Sequence, residues 1–181
     1  MNIAGLILKS AGWRFSVNVD MPDKCIICVA PHTSNWDFIL GELCIRSKGM
    51  TAGFMMKDTW FFFPLGFLLK AIGGVPVAQH RRTNVSASVV AHMSQCRRLA
   101  IAVTPEGTRS LNPKWHKGFL HIARDSRVPV LLAYIDYKHK HVCIDKVFEP
   151  TDDVEADLLA IKHYYAGHAY ARFPEKFSTG L

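Results

Sequence analysis

Short apolar runs alternate with polar loops and with longer amphipathic stretches along the chain. The clearest run is CIICVA at residues 25–30, which is continuous and short, as expected of a strand buried on both faces of a sheet. The polar loop PHTSN follows it, and residues 36–47 then have the apolar spacing of a helix. This order predicts a strand, a loop and a helix near the amino end.

The same patterning predicts the remaining elements. Strands are predicted where short apolar runs lie next to turn residues, at 53–56, 75–77, 99–103, 130–134 and 141–144. Helices are predicted where the apolar spacing lengthens, at 85–97, 119–124 and 153–171. Strands that alternate with helices predict an α/β fold, a single-domain sandwich in which helices flank a mixed central sheet.

Two apolar segments leave alternatives open. Residues 1–16 suit a short amphipathic helix that lies in a membrane interface, but a helix docked on the protein core has the same periodicity. The run at 60–78 contains Lys70, Pro64, Pro76 and several glycines, which argue against a spanning helix. Its aromatic part, WFFFPLGFLL, suits the core, an acyl-chain groove or a bilayer-facing patch.

Composition and charge narrow the class of protein. A length of 181 residues with 49% apolar residues predicts one domain, residues 1–181. The net charge of +7 favours anionic partners, but scattered Lys and Arg argue against nucleic acid. The five cysteines are an odd number and no secretory signal layout is visible, which favours a cytoplasmic location.

The loop PHTSNWD has residues suited to proton transfer. His32 and Asp37 stand five residues apart just after a buried strand, where active groups of such sheets tend to lie. The carboxylate can orient one imidazole nitrogen and leave the other free to take a proton from a hydroxyl. In the alternative interpretation, Asp37 caps the next helix together with Ser34 and Asn35, and His32 is a solvated loop residue.

A second loop, TPEGTRS at residues 104–110, also follows an apolar strand. Gly107 allows a turn that presents backbone amides, and Thr108, Arg109 and Ser110 supply a hydroxyl, a guanidinium and another hydroxyl. These groups suit phosphate binding, although an ordinary turn uses the same residue types.

Some Cys and His spacings resemble those of metal ligands but are weak evidence for a metal site. An i, i+3 pair in a strand points to opposite faces, so Cys25 and Cys28 are predicted to be core residues. The pairs His139 with His141 and His163 with His168 are predicted to be solvated.

The two loops occur together and in order, and in this they resemble the glycerolipid acyltransferase family of the 1-acylglycerol-3-phosphate, PlsC-like type. PHTSNWD resembles the family's His-four-residues-Asp signature, and PEGTRS resembles its second hallmark. The intervening KDTWFFFPLGFLLKAIGGVPV and the later WHKGFLHIA and VPVLLAYID are similar to further family blocks. The resemblance extends from about residue 25 to residue 136.

The resemblance implies a site and a reaction. His32 would be the general base and Asp37 its orienter, and the residues that bind the acceptor phosphate would be Glu106, Gly107, Thr108, Arg109 and Lys57. The family often has Asp-Arg where this chain has AQHRR, so whether Arg81 or Arg82 takes that role is open. No metal and no tightly bound cofactor are implied.

The implied reaction moves a fatty acyl group from acyl-CoA or acyl carrier protein to the hydroxyl of a lysophospholipid such as 1-acylglycerol-3-phosphate, which gives phosphatidic acid. The protein would work on the inner face of the cell membrane as a peripheral protein. Another lyso-lipid acceptor and a non-catalytic basic membrane-binding domain remain as alternatives.

Overall fold

The computed structural model describes residues 2–71, 73–77, 85–168 and 170–181. Its α-helices in these residues are α1 (Ile3–Ser10), α2 (Asn35–Ser47), α3 (Leu65–Ala71), α4 (Val85–Gln95), α5 (Gly118–Ser126) and α6 (Val154–His168). Its strands are β1 (Arg14–Val17), β2 (Lys24–Ala30), β3 (Gly53–Lys57), β4 (Gly74–Val77), β5 (Leu99–Val103), β6 (Val130–Asp136) and β7 (His141–Phe148).

The strands form a seven-stranded sheet in the order β1-β7-β6-β2-β5-β3-β4. Neighbouring strands are parallel, except that β6 and β7 are antiparallel. The predicted α/β fold with a mixed central sheet is therefore confirmed. The continuous apolar run that predicted a doubly buried strand is β2, which pairs with β5 on one side and β6 on the other.

Alternate residues of β2 enter two different core layers. Ile26 and Cys28 pack with residues of α4, α5 and α6, whereas Cys25 and Ile27 pack on the other side with Ile45 of α2. This alternation follows from the period of two in a strand. It confirms that Cys25 and Cys28 are core residues on opposite faces.

The amino-terminal prediction needs a correction. The helix of residues 1–16 is only α1, because the chain turns at Gly12, whose φ of +75° is a conformation that glycine adopts without strain. Residues after this turn form β1, which pairs with β7. Leu8 docks α1 on the core, while Ile3, Leu6 and Ile7 stay exposed. The docked interpretation is therefore confirmed, and the membrane interface stays a prediction.

The apolar stretch at 60–78 has the predicted short strand, β4, and one element that was not predicted. It contains the short helix α3, which the sequence did not reveal because apolar residues surround it without a helical period. Among the described residues, no helix is both long and apolar enough to cross a bilayer.

Candidate active site

The two polar loops meet because their strands are neighbours. β2 and β5 are parallel, with Cys28 opposite Val103, so both chains leave the sheet at the same edge. The loop after β2 brings His32 and the loop after β5 brings Glu106, and the His32 backbone N–H donates to Glu106 Oε1 at 2.8 Å. The carboxyl edge of the sheet therefore joins the two motifs.

His32 and Asp37 face each other as the spacing predicted. His32 Nδ1 lies 3.4 Å from Asp37 Oδ2, and the two side chains are 19% and 3% exposed. This contact is longer than an ideal hydrogen bond, as catalytic contacts often are before substrate binds. With Nδ1 turned to the carboxylate, the other ring nitrogen, Nε2, is the one that can serve a substrate.

Asp37 both caps α2 and orients His32. Its Oδ2 accepts hydrogen bonds from the backbone N–H groups of Thr33 at 2.6 Å and Ser34 at 2.8 Å, and Ser34 Oγ accepts from Trp36 at 3.2 Å. These contacts form a capping box at the start of the helix. The two interpretations of Asp37 are therefore compatible, because the cap holds the carboxylate rigidly against the imidazole.

The environment keeps Asp37 ionised. Burial raises the pKa of its carboxyl, but hydrogen bonds from His32, Tyr137 and the Ser34 and Thr33 backbone outweigh burial and leave the pKa below its usual value. A carboxylate in this state can stabilise a positive charge that develops on His32.

Tyr137 was missed by the sequence analysis. Its hydroxyl donates to Asp37 Oδ1 at 2.5 Å, across 100 residues of chain. Burial raises the pKa of Tyr137, and the bond to Asp37 raises it further, so the phenol stays protonated as a donor. One signal was available, since Tyr137 directly follows β6, a strand parallel to β2 whose carboxyl end lies at the same edge.

Glu106 takes a different place from the one the resemblance implied. Its side chain is 3% exposed and faces the His32 backbone, whereas Thr108 and Arg109 lie exposed on the surface. Its Oε2 has no hydrogen-bond partner among the described residues. Burial raises the pKa of Glu106 to about 7, and the hydrogen bond from His32 acts in the opposite direction. The geometry makes Glu106 an anchor of the His32 loop rather than a surface ligand for phosphate.

The turn after Glu106 requires glycine. Gly107 has a φ of +65°, and a Cβ placed on it would lie 2.4 Å from Cδ2 of His116. Arg109 then reaches back to α2, where its Nη1 donates to Asn35 Oδ1. Thr108 Oγ1 accepts from the backbone of Ser110 at 3.2 Å. These contacts place the Arg109 guanidinium beside the first turn of α2.

Three basic residues of the predicted site have side chains outside the described part of the structure. The backbone of Lys57 ends β3, and its side chain lies outside the described part of the structure. Arg81 and Arg82 also lie outside the described residues. The roles implied for them stay predictions.

An apolar cavity of about 810 Å³ adjoins the site. It lies between α2 and one face of the sheet, where Phe38, Ile45, Val29 and Ile135 contribute to its wall. The residues that bring polar groups to this cavity include His32, Asp37, Asn35, Thr104 and Arg109. A long hydrocarbon chain can therefore lie beneath α2 with its reactive end at His32.

The other predicted histidine pairs have mixed outcomes. His163 and His168 are exposed, and His139 is 53% exposed, where it contacts Asp136 at 2.6 Å. His141 is half-buried instead, and its Nε2 lies 2.9 Å from Ser16 Oγ. Within the described ranges, no three His, Cys, Asp or Glu side chains come together as a metal site.

Comparisons with known proteins identify a shared fold and a family. The chain is similar in structure to the 1-acyl-sn-glycerophosphate (LPA) acyltransferase PlsC from Thermotoga maritima, with a TM-score of 0.60 and 18% sequence identity. The match covers 93% of this chain and 80% of that one, and it shows a shared fold. Comparison with curated protein sequences gives no match. The family model described as Acyltransferase matches residues 15–135, about two thirds of the 181 residues, and the chain therefore belongs to the acyltransferase family.

Proposed function

We propose that this acyltransferase moves a fatty acyl group from acyl-CoA or acyl carrier protein to the free hydroxyl of a lysophospholipid such as 1-acylglycerol-3-phosphate, which gives phosphatidic acid. The observation that carries the proposal is the His32–Asp37 pair, 3.4 Å apart, in the wall of an apolar cavity of about 810 Å³. A base and a chain-sized apolar space are what acyl transfer to a hydroxyl needs.

The reaction begins when His32 Nε2 takes the proton from the acceptor hydroxyl. The acceptor oxygen attacks the thioester carbonyl, the carbon–sulfur bond breaks, and the thiolate leaves with the proton that the imidazolium returns. Asp37 holds the imidazole tautomer and stabilises the imidazolium between these steps, and Tyr137 holds Asp37 in place. The residues themselves form no covalent bond to the acyl group.

The donor chain and the acceptor phosphate bind to different parts of the site, one apolar and one polar. The cavity beneath α2 takes the donor acyl chain, because its wall is mostly apolar. The acceptor phosphate binds at Arg109 and Thr108, which are exposed beside the first turn of α2, and Lys57 is proposed as a further contact. Arg109 suits this role because a guanidinium matches phosphate oxygens with two parallel donors. No metal or tightly bound cofactor takes part in the proposed reaction.

We also propose that the protein works as a peripheral protein on the inner face of the cell membrane. Large apolar side chains before and within α3 are exposed, with Phe63 at 91% and Phe67 at 80%. Such a patch marks an interaction surface, and the net charge of +7 favours anionic lipid. High salt or alkaline carbonate should release the protein from membranes. Retention until detergent is added would contradict the peripheral placement.

The decisive experiment compares His32→Ala with His139→Ala. His139 also contacts a carboxylate, but it lies outside the cavity, so it controls for the loss of a histidine–carboxylate contact. Purified variants are assayed against lysophospholipids with acyl-CoA and acyl carrier protein donors. His32→Ala should lower the rate by about 10²- to 10⁴-fold, the usual contribution of a general base, and His139→Ala should not.

A folded His32→Ala protein with wild-type turnover would refute the mechanism. Lipid binding without turnover in the wild type would favour the non-catalytic alternative.

A further inference from the structure

A second apolar space lies on the other side of α2. This groove, of about 390 Å³, runs between α1 and α2, where Ile7 and Ala11 of the α1 side face Ile39 and Leu43. Leu8 and Leu40 form part of its wall and belong to a small buried cluster beneath the two helices. The groove is thus a defined apolar space between two packed helices.

The two helices run in opposite directions, and this fixes which end of the groove lies at the site. Asn2, before α1, donates from Nδ2 to the Arg46 carbonyl near the end of α2. Trp13, after α1, packs edge-on against Tyr137 with ring centroids 5.1 Å apart. Because Tyr137 binds Asp37, the Trp13 end of the groove lies beside the first turn of α2.

This end of the groove holds its polar groups. Tyr137 and Arg172 both line it, and the Arg172 guanidinium lies 5.6 Å from the centroid of the Trp36 ring. The next residue, Phe173, donates its backbone N–H to Thr33 Oγ1 at 3.4 Å, so the segment that carries Arg172 is tied to the His32 loop. An exposed cation therefore stands where the groove reaches the catalytic pair.

Acyl transfer between two lipids brings two hydrocarbon chains to one histidine. The cavity of about 810 Å³ and the groove lie on either side of α2, and Ile39 lines both. Arg109 binds Asn35, and the next residue, Trp36, lies beside Arg172. A lipid whose phosphate lies at Arg109 can therefore extend its chain past Trp36 to the other side of the first turn. That side is where the groove begins, and Arg172 puts a positive charge there that suits an anionic lipid.

Resting on the proposed function, we infer that the groove between α1 and α2 binds the hydrocarbon tail of the lysophospholipid acceptor, with its glyceride ester at Arg172. The groove is open along Ile7, Trp36 and Ile39, which are about half exposed. An apolar strip of this kind is suited to a chain that slides in from a lipid surface.

The first test fills the groove from its exposed rim. Ala11→Trp places a ring in the groove, and Ser10→Trp places the same ring on the neighbouring residue outside it. Ala11→Trp should raise KM for a 16-carbon 1-acylglycerol-3-phosphate by about tenfold, which matches the burial of about two fewer methylenes. KM for a 4-carbon acceptor and the donor chain-length profile should not change. Equal effects on both acceptors, or an effect of Ser10→Trp as large, would overturn the inference.

The second test measures binding without turnover. A 1-acylglycerol-3-phosphate with bromine atoms on its chain should quench tryptophan fluorescence, and Trp36→Phe should remove a large part of that quenching. A brominated acyl-CoA should quench much less through Trp36. Quenching by the acceptor in a protein without turnover would keep the groove and refute the proposed function. Turnover with no Trp36-dependent quenching, or stronger quenching by the donor, would refute the groove.

Discussion

The buried carboxyl of Glu106 should make the stability of the protein depend on pH. The side chain is 3% exposed, and one of its oxygens lacks a partner within the described residues. Glu106→Gln is the perturbation, because the Gln oxygen can still accept the hydrogen bond from the His32 backbone but cannot ionise. The variant therefore separates the charge of Glu106 from its role as an anchor.

The magnitude follows from the pKa. Burial raises the pKa of Glu106 from 4.5 to about 7. Between these values the unfolded chain has lost the proton while the folded protein keeps it, so the free energy of unfolding falls as pH rises and levels off above pH 7. A window of about 2.5 pH units at 1.36 kcal/mol each corresponds to roughly 3 kcal/mol. Relative to wild type, the free energy of unfolding of Glu106→Gln should therefore rise by roughly 3 kcal/mol between pH 4.5 and pH 7.5.

Urea unfolding at several pH values measures this difference directly. Other groups titrate in both proteins, so the difference between variant and wild type isolates Glu106. Glu149→Gln, at an exposed glutamate, is the matched control for the loss of one carboxylate from the chain. If Glu106→Gln gave the same difference from wild type at pH 5 and pH 8, the carboxyl would not titrate in this window and the reasoning would be wrong.

Three further substitutions test the site. Tyr137→Phe removes one hydrogen bond from Asp37, so the pKa of Asp37 should rise towards its usual value, which NMR titration of the carboxyl measures, and the rate should fall about tenfold or more; an unchanged Asp37 pKa would make Tyr137 only a packing residue. Arg109→Lys keeps the charge but removes the two parallel donors of the guanidinium, so KM for the phosphorylated acceptor should rise about tenfold while the donor KM stays constant. An equal effect on a phosphate-free acceptor would contradict the phosphate assignment. Gly41 lines the cavity, and a Cβ added there would meet no atom within 4 Å, so Gly41→Leu can extend a side chain into the space. Acyl-CoA donors with shorter chains should then be preferred. An unchanged chain-length profile would place the donor chain elsewhere.

Local patterns predicted the elements that hold the two motifs. The apolar run that became β2 is fully buried except at Val29, and burial on both faces is visible in a continuous apolar run. In β5 only Ile101 and Val103 are fully buried. The start of α2 was readable from Ser34 and Asp37, because a capping box involves residues three positions apart. Helix ends were less readable. The last helix, predicted to reach 171, ends at His168, and Tyr170 instead bridges to Asp136.

The sequence by itself determined the α/β class, the strand-loop-helix unit and the pair of motifs, since each depends on neighbours within a few residues. Only the tertiary structure decided that Tyr137 donates to Asp37, that Glu106 turns inward to His32, and that Arg172 stands beside Trp36. These contacts depend on strand order and register, which bring residues distant along the chain to one edge of the sheet. The cavity and the groove on either side of α2 likewise arise from how this helix sits on the sheet and beside α1, and no local pattern records that packing.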